Sequence, residues 1–140
     1  MKVKTLLICY GLCQLMTLPL WSQSDDFYTR AKINDKGDYL TNAGPVTGKA
    51  LPGQTPGALW RVISKQLNCR QQADVNAKIQ LVFKHGALLQ AHLGRGGSDE
   101  VLYNAKDPRG KTWMHVRLSA HSLNGCYVRA NRLFIRPLQK

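Results

Sequence analysis

The sequence predicts a small all-β domain, a barrel or a sandwich, over residues 58–140 of the 140-residue chain. Two observations lead to this prediction. Short apolar runs alternate with turn signals at a spacing of about ten residues, which is typical of all-β folds. No segment of this region has the 3.6-residue apolar period of an amphipathic helix, and at most one helical turn is expected, at Ala130–Leu133.

The individual strands are predicted from alternation of apolar and polar residues, bounded by Gly, Asn-Gly or Asp-Pro turns. The predicted strands are Ala58–Ser64, Leu67–Arg70, Lys78–Phe83, Ala87–Leu93, Val101–Tyr103, Thr112–Leu118, Cys126–Arg129 and Phe134–Leu138. Between them, Gly94–Gly97 is predicted as a hairpin turn and Asn104–Lys111 as a polar turn. The domain is therefore expected to consist of short strands and tight connections.

Residues 1–24 have the order of a secretory signal peptide. A basic start is followed by the mostly apolar run Thr5–Leu20 and then by the small residues Ser22 and Ser24. We therefore expect cleavage after Ser22 or Ser24, a secreted or periplasmic protein, and no stable membrane span after cleavage. An uncleaved membrane anchor is the alternative, but a spanning helix needs about 20 apolar residues, and this run is shorter and contains Pro19.

The rest of the chain divides into two zones of different composition. Residues 25–57 are punctuated by Gly, Pro, Thr and Asn, their charges cancel, and no period of 2 or 3.6 is sustained, which predicts a flexible linker. Residues 58–140 contain 14 basic and 4 acidic residues, so the net charge of the exported chain, +10, lies entirely there. A domain with this charge is suited to anionic partners.

Two cysteines remain beyond the signal peptide, Cys69 and Cys126. In the oxidising compartment that a signal peptide implies, two cysteines in a small domain most often form a disulfide. A pair of unlinked buried thiols is the alternative. A zinc site is disfavoured because the sequence has neither a C-x-x-C motif nor paired histidines.

The residue types that carry catalysis or bind metals are not grouped in the sequence. No histidine is spaced i, i+2 or i, i+4 with another; they are His85, His92, His115 and His121. The few acids do not form a glycosidase pair, and a disulfide would consume the thiols that a cysteine nucleophile needs. We therefore expect a non-enzymatic protein without a metal site or a cofactor.

The order of the strand segments resembles the bacterial SH3-like domain of the exported SH3b type. Four pieces carry the resemblance: Leu67-Asn68-Cys69-Arg70, where the family reads Leu-Asn-Val-Arg; Leu81–Gly86, which ends in a turn; Trp113–Val116, as a Trp-x-x-Val strand; and Gly125–Asn131 with Leu133–Ile135, as the closing strands. The chain departs from the family at Cys69, at Cys126-Tyr127 and in a long loop, Gly94–Lys111. The resemblance implies a small SH3-like barrel of about five short strands, preceded by a flexible N-terminal tether.

The resemblance also implies a disulfide and a function. The first and last strands of such a barrel lie side by side, and Cys69 and Cys126 stand on those strands, so a disulfide would close the barrel. The family implies a secreted binding module for cell-envelope material, either peptidoglycan or an anionic polysaccharide, or for an envelope protein. We expect a monomer.

Arginine and aromatic residues on the predicted strands form the candidate ligand site. Trp113 and Arg117 share one strand face, and Tyr127 and Arg129 share another. Guanidinium and aromatic planes can stack on sugars and hydrogen-bond to carboxylates or phosphates. The alternatives are that Trp113 or Tyr127 belongs to the core and that the positive surface serves solubility. The full candidate set is Trp113, Arg117, Tyr127, Arg129, Arg132 and Arg136.

Two other functions stay open at this point. A small exported enzyme would need a cluster of acids, histidines or cysteines, which the sequence does not present. Nucleic-acid binding agrees with the net positive charge but not with export, so nucleic acid is not an expected partner.

Overall fold

The computed structural model describes residues 31–41, 48–53, 57–96, 99–118 and 124–138. The predicted signal peptide, residues 1–24, lies outside these ranges. Within them the chain forms strands, bridges and turns, with no helix, and so no helix that could cross a membrane. The prediction of an all-β fold is confirmed. The helical turn allowed at Ala130–Leu133 is instead a tight turn, in which the Phe134 N–H donates to the Asn131 carbonyl over 2.9 Å.

The described ranges contain ten short strands. They are β1 (Leu59–Val62), β2 (Gln66–Arg70), β3 (Ile79–Lys84), β4 (Leu88–Ala91), β5 (Leu93–Gly96), β6 (Asp99–Leu102), β7 (Ala105–Lys106), β8 (Thr112–Arg117), β9 (Gly125–Arg129) and β10 (Ile135–Pro137). The number exceeds the five or so that the resemblance implies, since β1 precedes the matched region and β5, β6 and β7 lie in the long loop.

Two of these strands occupy segments that are predicted as turns. β5 pairs with β6 in a two-stranded hairpin, in which Gly94 lies opposite Val101. β7 pairs with β8, and Ala105 lies opposite Trp113. Glycine-rich and polar residues have a low intrinsic preference for strands, but pairing with a neighbouring strand overrides it. The turn predictions for Gly94–Gly96 and Ala105–Lys106 are therefore wrong, and residues 97–98 lie outside the described ranges.

The main sheet is antiparallel and has the strand order β10-β1-β4-β8-β9-β2-β3, with β7 on β8. This order has two ends, β3 and β10, so closure of the sheet into a barrel stays a prediction. One face of the sheet carries the buried core, because residues at alternate positions of a strand share a face. The core residues of the strands are Trp60, Val62, Leu67, Cys69, Leu89, Ala91, Leu102, Met114, Val116, Cys126, Val128 and Ile135. We call the opposite face of β8 and β9 the outer face.

Residues 31–41, called here the strap, pack against the domain. Tyr39 is only 5% exposed and lies in the core, where its ring meets Trp60 edge to face at 4.8 Å between centroids. Its hydroxyl donates to the Ile135 carbonyl over 3.0 Å, and its N–H donates to the Ala130 carbonyl over 2.8 Å. The flexible linker predicted for residues 25–57 is therefore wrong over the strap. One aromatic residue in a polar segment produces no periodic signal, although its burial anchors the chain.

A disulfide joins Cys69 on β2 to Cys126 on β9. The two Cα atoms are 5.4 Å apart, inside the range of roughly 4.4–6.8 Å that a disulfide requires, and both residues are fully buried. The predicted disulfide is confirmed. It links neighbouring strands that pair at Arg70 and Tyr127, and these are the second and ninth strands of the chain instead of the first and last.

Candidate functional site

The six candidate residues do not form one surface. β8 and β9 bring four of them to the outer face, where Trp113 lies opposite Arg129 and Tyr127 lies opposite His115. The other two, Arg132 and Arg136, are exposed on the turn before β10 and on β10 itself. Their positive charges act on Tyr39: burial raises the pKa of its hydroxyl to about 12, and both arginines oppose that rise. The Arg132 N–H donates to the Gly37 carbonyl over 2.8 Å, beside Asp38, so Arg132 lies near the Arg129–Asp38 pair although it is not on the outer face.

Trp113 is buried, and together with Arg129 it lines a further cavity of about 330 Å³. It is 2% exposed, its Nε1 donates to Asp107 Oδ2 over 3.0 Å, and the Arg129 guanidinium lies 5.9 Å from its ring centroid. The alternative that this tryptophan serves packing is therefore the right one. Burial alone would raise the pKa of Asp107, but the hydrogen bond from Trp113 and those from two backbone N–H groups, with the charge of Arg129, lower it below its ordinary value.

Arg129 serves as a link between the strap and the sheet. Its guanidinium donates to Asp38 Oδ1 over 2.6 Å and also to the Thr112 carbonyl. Asn131 Nδ2 donates to the same Asp38 oxygen over 2.7 Å, and Asp38 is 4% exposed. A carboxylate that is this deeply buried needs hydrogen-bond partners, and Arg129 and Asn131 supply them. The sequence predicts Arg129 as a ligand contact. In the structure its guanidinium is paired with Asp38 and lies at the bottom of a cleft.

That cleft lies between the strap and the turn that joins β7 to β8, and we call it the basic cleft. Its volume is about 480 Å³. The side chains of Lys36, Arg109 and Lys111 are exposed around it, while the charge of Arg129 is matched by Asp38. Asp107 accepts the N–H groups of Arg109 and Lys111, each over 2.9 Å, and so holds the turn. The lining residues are Asn34, Asp35, Lys36, Asp38, Arg109, Gly110, Lys111, Arg129 and Asn131.

A second cavity, of about 370 Å³, opens near the end of β4, and we call it the imidazole pocket. The ring of His115 lies 5.6 Å from that of His92 and 5.0 Å from that of Tyr127, measured between centroids. Tyr103, which follows β6, is 63% exposed at the pocket. The lining residues are His92, Tyr103, Asn104, Ala105, His115 and Tyr127.

The two imidazoles of this pocket are neutral at neutral pH. Arg117 Nη2 lies 3.3 Å from His92 Nδ1. Because a guanidinium can only donate, Nδ1 accepts, and the neutral His92 ring carries its proton on Nε2. Burial, with the positive charge of Arg117, lowers the pKa of His92; burial, then His92 and Arg117, lowers the pKa of His115. Each effect disfavours the imidazolium form.

Three polar atoms at this end of the sheet are buried without a hydrogen-bond partner. They are Asn104 Oδ1, Arg117 Nε and Gln90 Oε1, whose residue lies opposite Arg117. Asn104 is 7% exposed, and its Nδ2 reaches the Tyr39 carbonyl at 3.5 Å, so that the amide is held while its oxygen remains unpaired. Buried polar atoms in proteins are rarely left unpaired, and each such atom calls for a partner.

Sequence reasoning missed most of the imidazole pocket. The alternation of β8 places His115 on the same face as Arg117, so this histidine could have been found. His92 is placed by the pairing of β4 with β8, since its N–H donates to the His115 carbonyl over 2.9 Å, and Tyr103 and Asn104 reach the pocket from the end of the β5–β6 hairpin, which no local pattern predicts. His85 lies in the turn after β3, where its Nδ1 is 2.9 Å from the Ile63 carbonyl, and His121 is outside the described ranges. Among the described residues, no three metal-ligating side chains are grouped.

No family model, curated protein or solved structure matches the sequence.

Proposed function

We propose that the protein is a secreted, non-catalytic binding module that holds an anionic polymer of the cell envelope, an anionic polysaccharide or peptidoglycan, in the basic cleft. The observation that carries the proposal is the set of three exposed cations around one concave surface, Lys36, Arg109 and Lys111. Two acids also line the cleft. Asp38 is paired with Arg129, and Asp35 is exposed. The cleft is therefore net positive and attracts negative charge.

The backbone that carries these cations is fixed before a ligand arrives. Asp107 holds the turn that presents Arg109 and Lys111, and the Arg129–Asp38 ion pair holds the strap that presents Lys36. A preformed arrangement lowers the entropy cost of binding, so that weak individual charge contacts can add up along a polymer. The flexible side chains of the lysines suit a ligand with repeated charges of variable spacing.

The location and the absence of catalysis rest on separate support. The disulfide is compatible with an oxidising compartment such as the periplasm or the extracellular space, which agrees with the predicted signal peptide. Within the described residues, two acids near the cleft are engaged, since Asp107 accepts from Trp113 and Asp38 accepts from Arg129, while Asp35 is exposed at the cleft. The two engaged acids serve the fold and leave the cleft suited to binding.

The proposal is tested by co-sedimentation of the mature chain with purified sacculi and with an anionic polysaccharide. The informative variant is Lys36→Ala/Lys111→Ala, and the matched control is Lys78→Ala/Lys84→Ala, which removes the same charge from an exposed region around β3. We expect the cleft variant to lose binding and the control to keep it. Binding should weaken from 0.1 to 1 M salt, because the Debye length falls from about 10 to about 3 Å.

Equal loss of binding in both variants would show that overall charge, and no particular cleft, is responsible. Absence of binding to either material at low salt would end the polymer proposal and would leave an acidic envelope protein as the partner to look for.

A further inference from the structure

The imidazole pocket has the chemistry of a ligand site that differs from the basic cleft. It combines an exposed tyrosine ring, two neutral imidazoles and an unpaired buried acceptor in one cavity of about 370 Å³. That volume lies in the range of small-molecule sites, about 300–1,000 Å³, which are mostly apolar with a few placed polar groups. None of these features is required by the binding of a polymer through the basic cleft.

We propose that the imidazole pocket binds an uncharged sugar ring, which stacks on Tyr103 and donates a hydroxyl hydrogen bond to Asn104 Oδ1. A pyranose ring is suited to both contacts, because it has an apolar C–H face and a rim of hydroxyl groups. The proposal does not depend on the basic cleft.

The stacking surface is held in position by the hairpin. Tyr103 directly follows β6, and its ring lies against β5, where a Cβ on Gly94 would come within 3.2 Å of Tyr103 Cδ2. Glycine at position 94 therefore leaves room for the ring to rest on the strand. An aromatic ring that is 63% exposed and supported from behind presents a flat apolar surface at a low cost in side-chain entropy.

The polar atoms of the pocket favour a ligand that can both donate and accept hydrogen bonds. Asn104 Oδ1 lacks a donor and is buried in the free chain, so the Asn104 side chain must turn toward the cavity for a ligand hydroxyl to supply the missing hydrogen bond. His92 accepts from Arg117 at Nδ1 and so has its proton on Nε2, which makes it a donor toward a sugar oxygen. The two imidazoles and the amide thus match the mixed donor and acceptor groups of a sugar.

Charge argues against the other ligand classes. The lining side chains are neutral at neutral pH, and the adjacent cation, Arg117, is engaged by His92 with its Nε buried. An anion therefore meets no exposed cation among the lining residues. A metal ion would find two imidazoles, one of them already bonded to a guanidinium, which is a poor ligand set beside the three protein ligands of a catalytic zinc site.

The test is titration of the mature chain with cellotriose and with chitotriose, followed by NMR of the histidine ring protons at neutral pH. We expect saturable shifts of the His92 and His115 signals with at least one of the two trisaccharides. Tyr103→Ala should weaken binding at least tenfold, and Gly94→Ala should weaken it by displacing the ring. Leu133→Ala, at a side chain that is 68% exposed on a different turn, is the matched control and should bind as the wild type does.

The two proposals can fail separately. Lys36→Ala/Lys111→Ala should leave the trisaccharide affinity unchanged, because it alters only the basic cleft. Absence of saturable shifts with both trisaccharides, or wild-type affinity in Tyr103→Ala with an unchanged melting temperature, would overturn the sugar site. If trigalacturonate shifts the histidine signals and the neutral sugars do not, the pocket is an anion site and the proposal is wrong.

Discussion

Replacing Arg129 by alanine should destabilise the domain more than replacing the exposed Arg132 does. The guanidinium pairs with Asp38 over 2.6 Å and also donates to the Thr112 carbonyl. The side chains of Arg129 and Asp38 are 18% and 5% exposed, so that the removal of one partner leaves a nearly buried carboxylate. The strap and the sheet are joined at this point, and the loss is therefore transmitted to both.

The size of the effect follows from the environment of Asp38. Removing one partner of a fully buried ion pair costs about 3–5 kcal/mol. Asn131 still donates to the carboxylate over 2.7 Å, and partial exposure of Arg129 admits water, so we expect the lower end of that range, about 3 kcal/mol. For a domain of this size that corresponds to a fall in melting temperature of about 10–20 °C.

The measurement is urea unfolding of the mature, disulfide-bonded chain, followed by the fluorescence of the buried Trp60 and Trp113. Arg132→Ala removes an equal charge from an exposed side chain and should change the free energy of unfolding by less than about 0.5 kcal/mol. A double-mutant cycle with Asp38→Asn isolates the coupling between the pair. If Arg129→Ala unfolds within about 0.5 kcal/mol of the wild type, the strap is not held by this ion pair and our account of it is wrong.

The remaining predictions concern the disulfide and the response to pH. Reduction of the disulfide, which closes 57 residues, should lower the free energy of unfolding by about 4 kcal/mol, and equal melting temperatures with and without reductant would contradict this. The pKa of Asp107 is lowered from 3.8, so its contribution to stability is present above that pH and is lost as the pH falls through the lowered value. Trp113→Phe removes one cause of the lowering, so the free energy of unfolding in urea should depend less on pH in the acid range. The pKa values of His92 and His115 are lowered from 6.5, so the unfolded chain takes up more protons than the folded chain below that pH. The free energy of unfolding should therefore fall from pH 7 to pH 5. If the same pH dependence persists after both histidines are replaced by glutamine, other groups are responsible for it.

The strand pattern was predictable because burial of one face of a sheet imposes an alternation that the sequence records directly. β8 illustrates this: Met114 and Val116 alternate with His115 and Arg117, and the structure places the first two in the core and the others on the outer face. The disulfide was predictable for a different reason. Two cysteines in a small domain have each other as the available partner if the chain is exported as predicted, whereas the strands they join, β2 and β9, were known only from the structure.

Three features depended on contacts between residues that are distant in the chain. Tyr39 anchors the strap by packing on Trp60, Trp113 lies beneath the guanidinium of Arg129 from the neighbouring strand, and Tyr103 lines the imidazole pocket with residues of β8 and β9. No periodic pattern marks such residues, since each is a single side chain whose environment is supplied by another part of the chain. Composition and alternation thus determined the fold class, most of the strands and the crosslink, whereas three-dimensional packing alone decided which arginines and aromatic residues support the fold and which remain exposed.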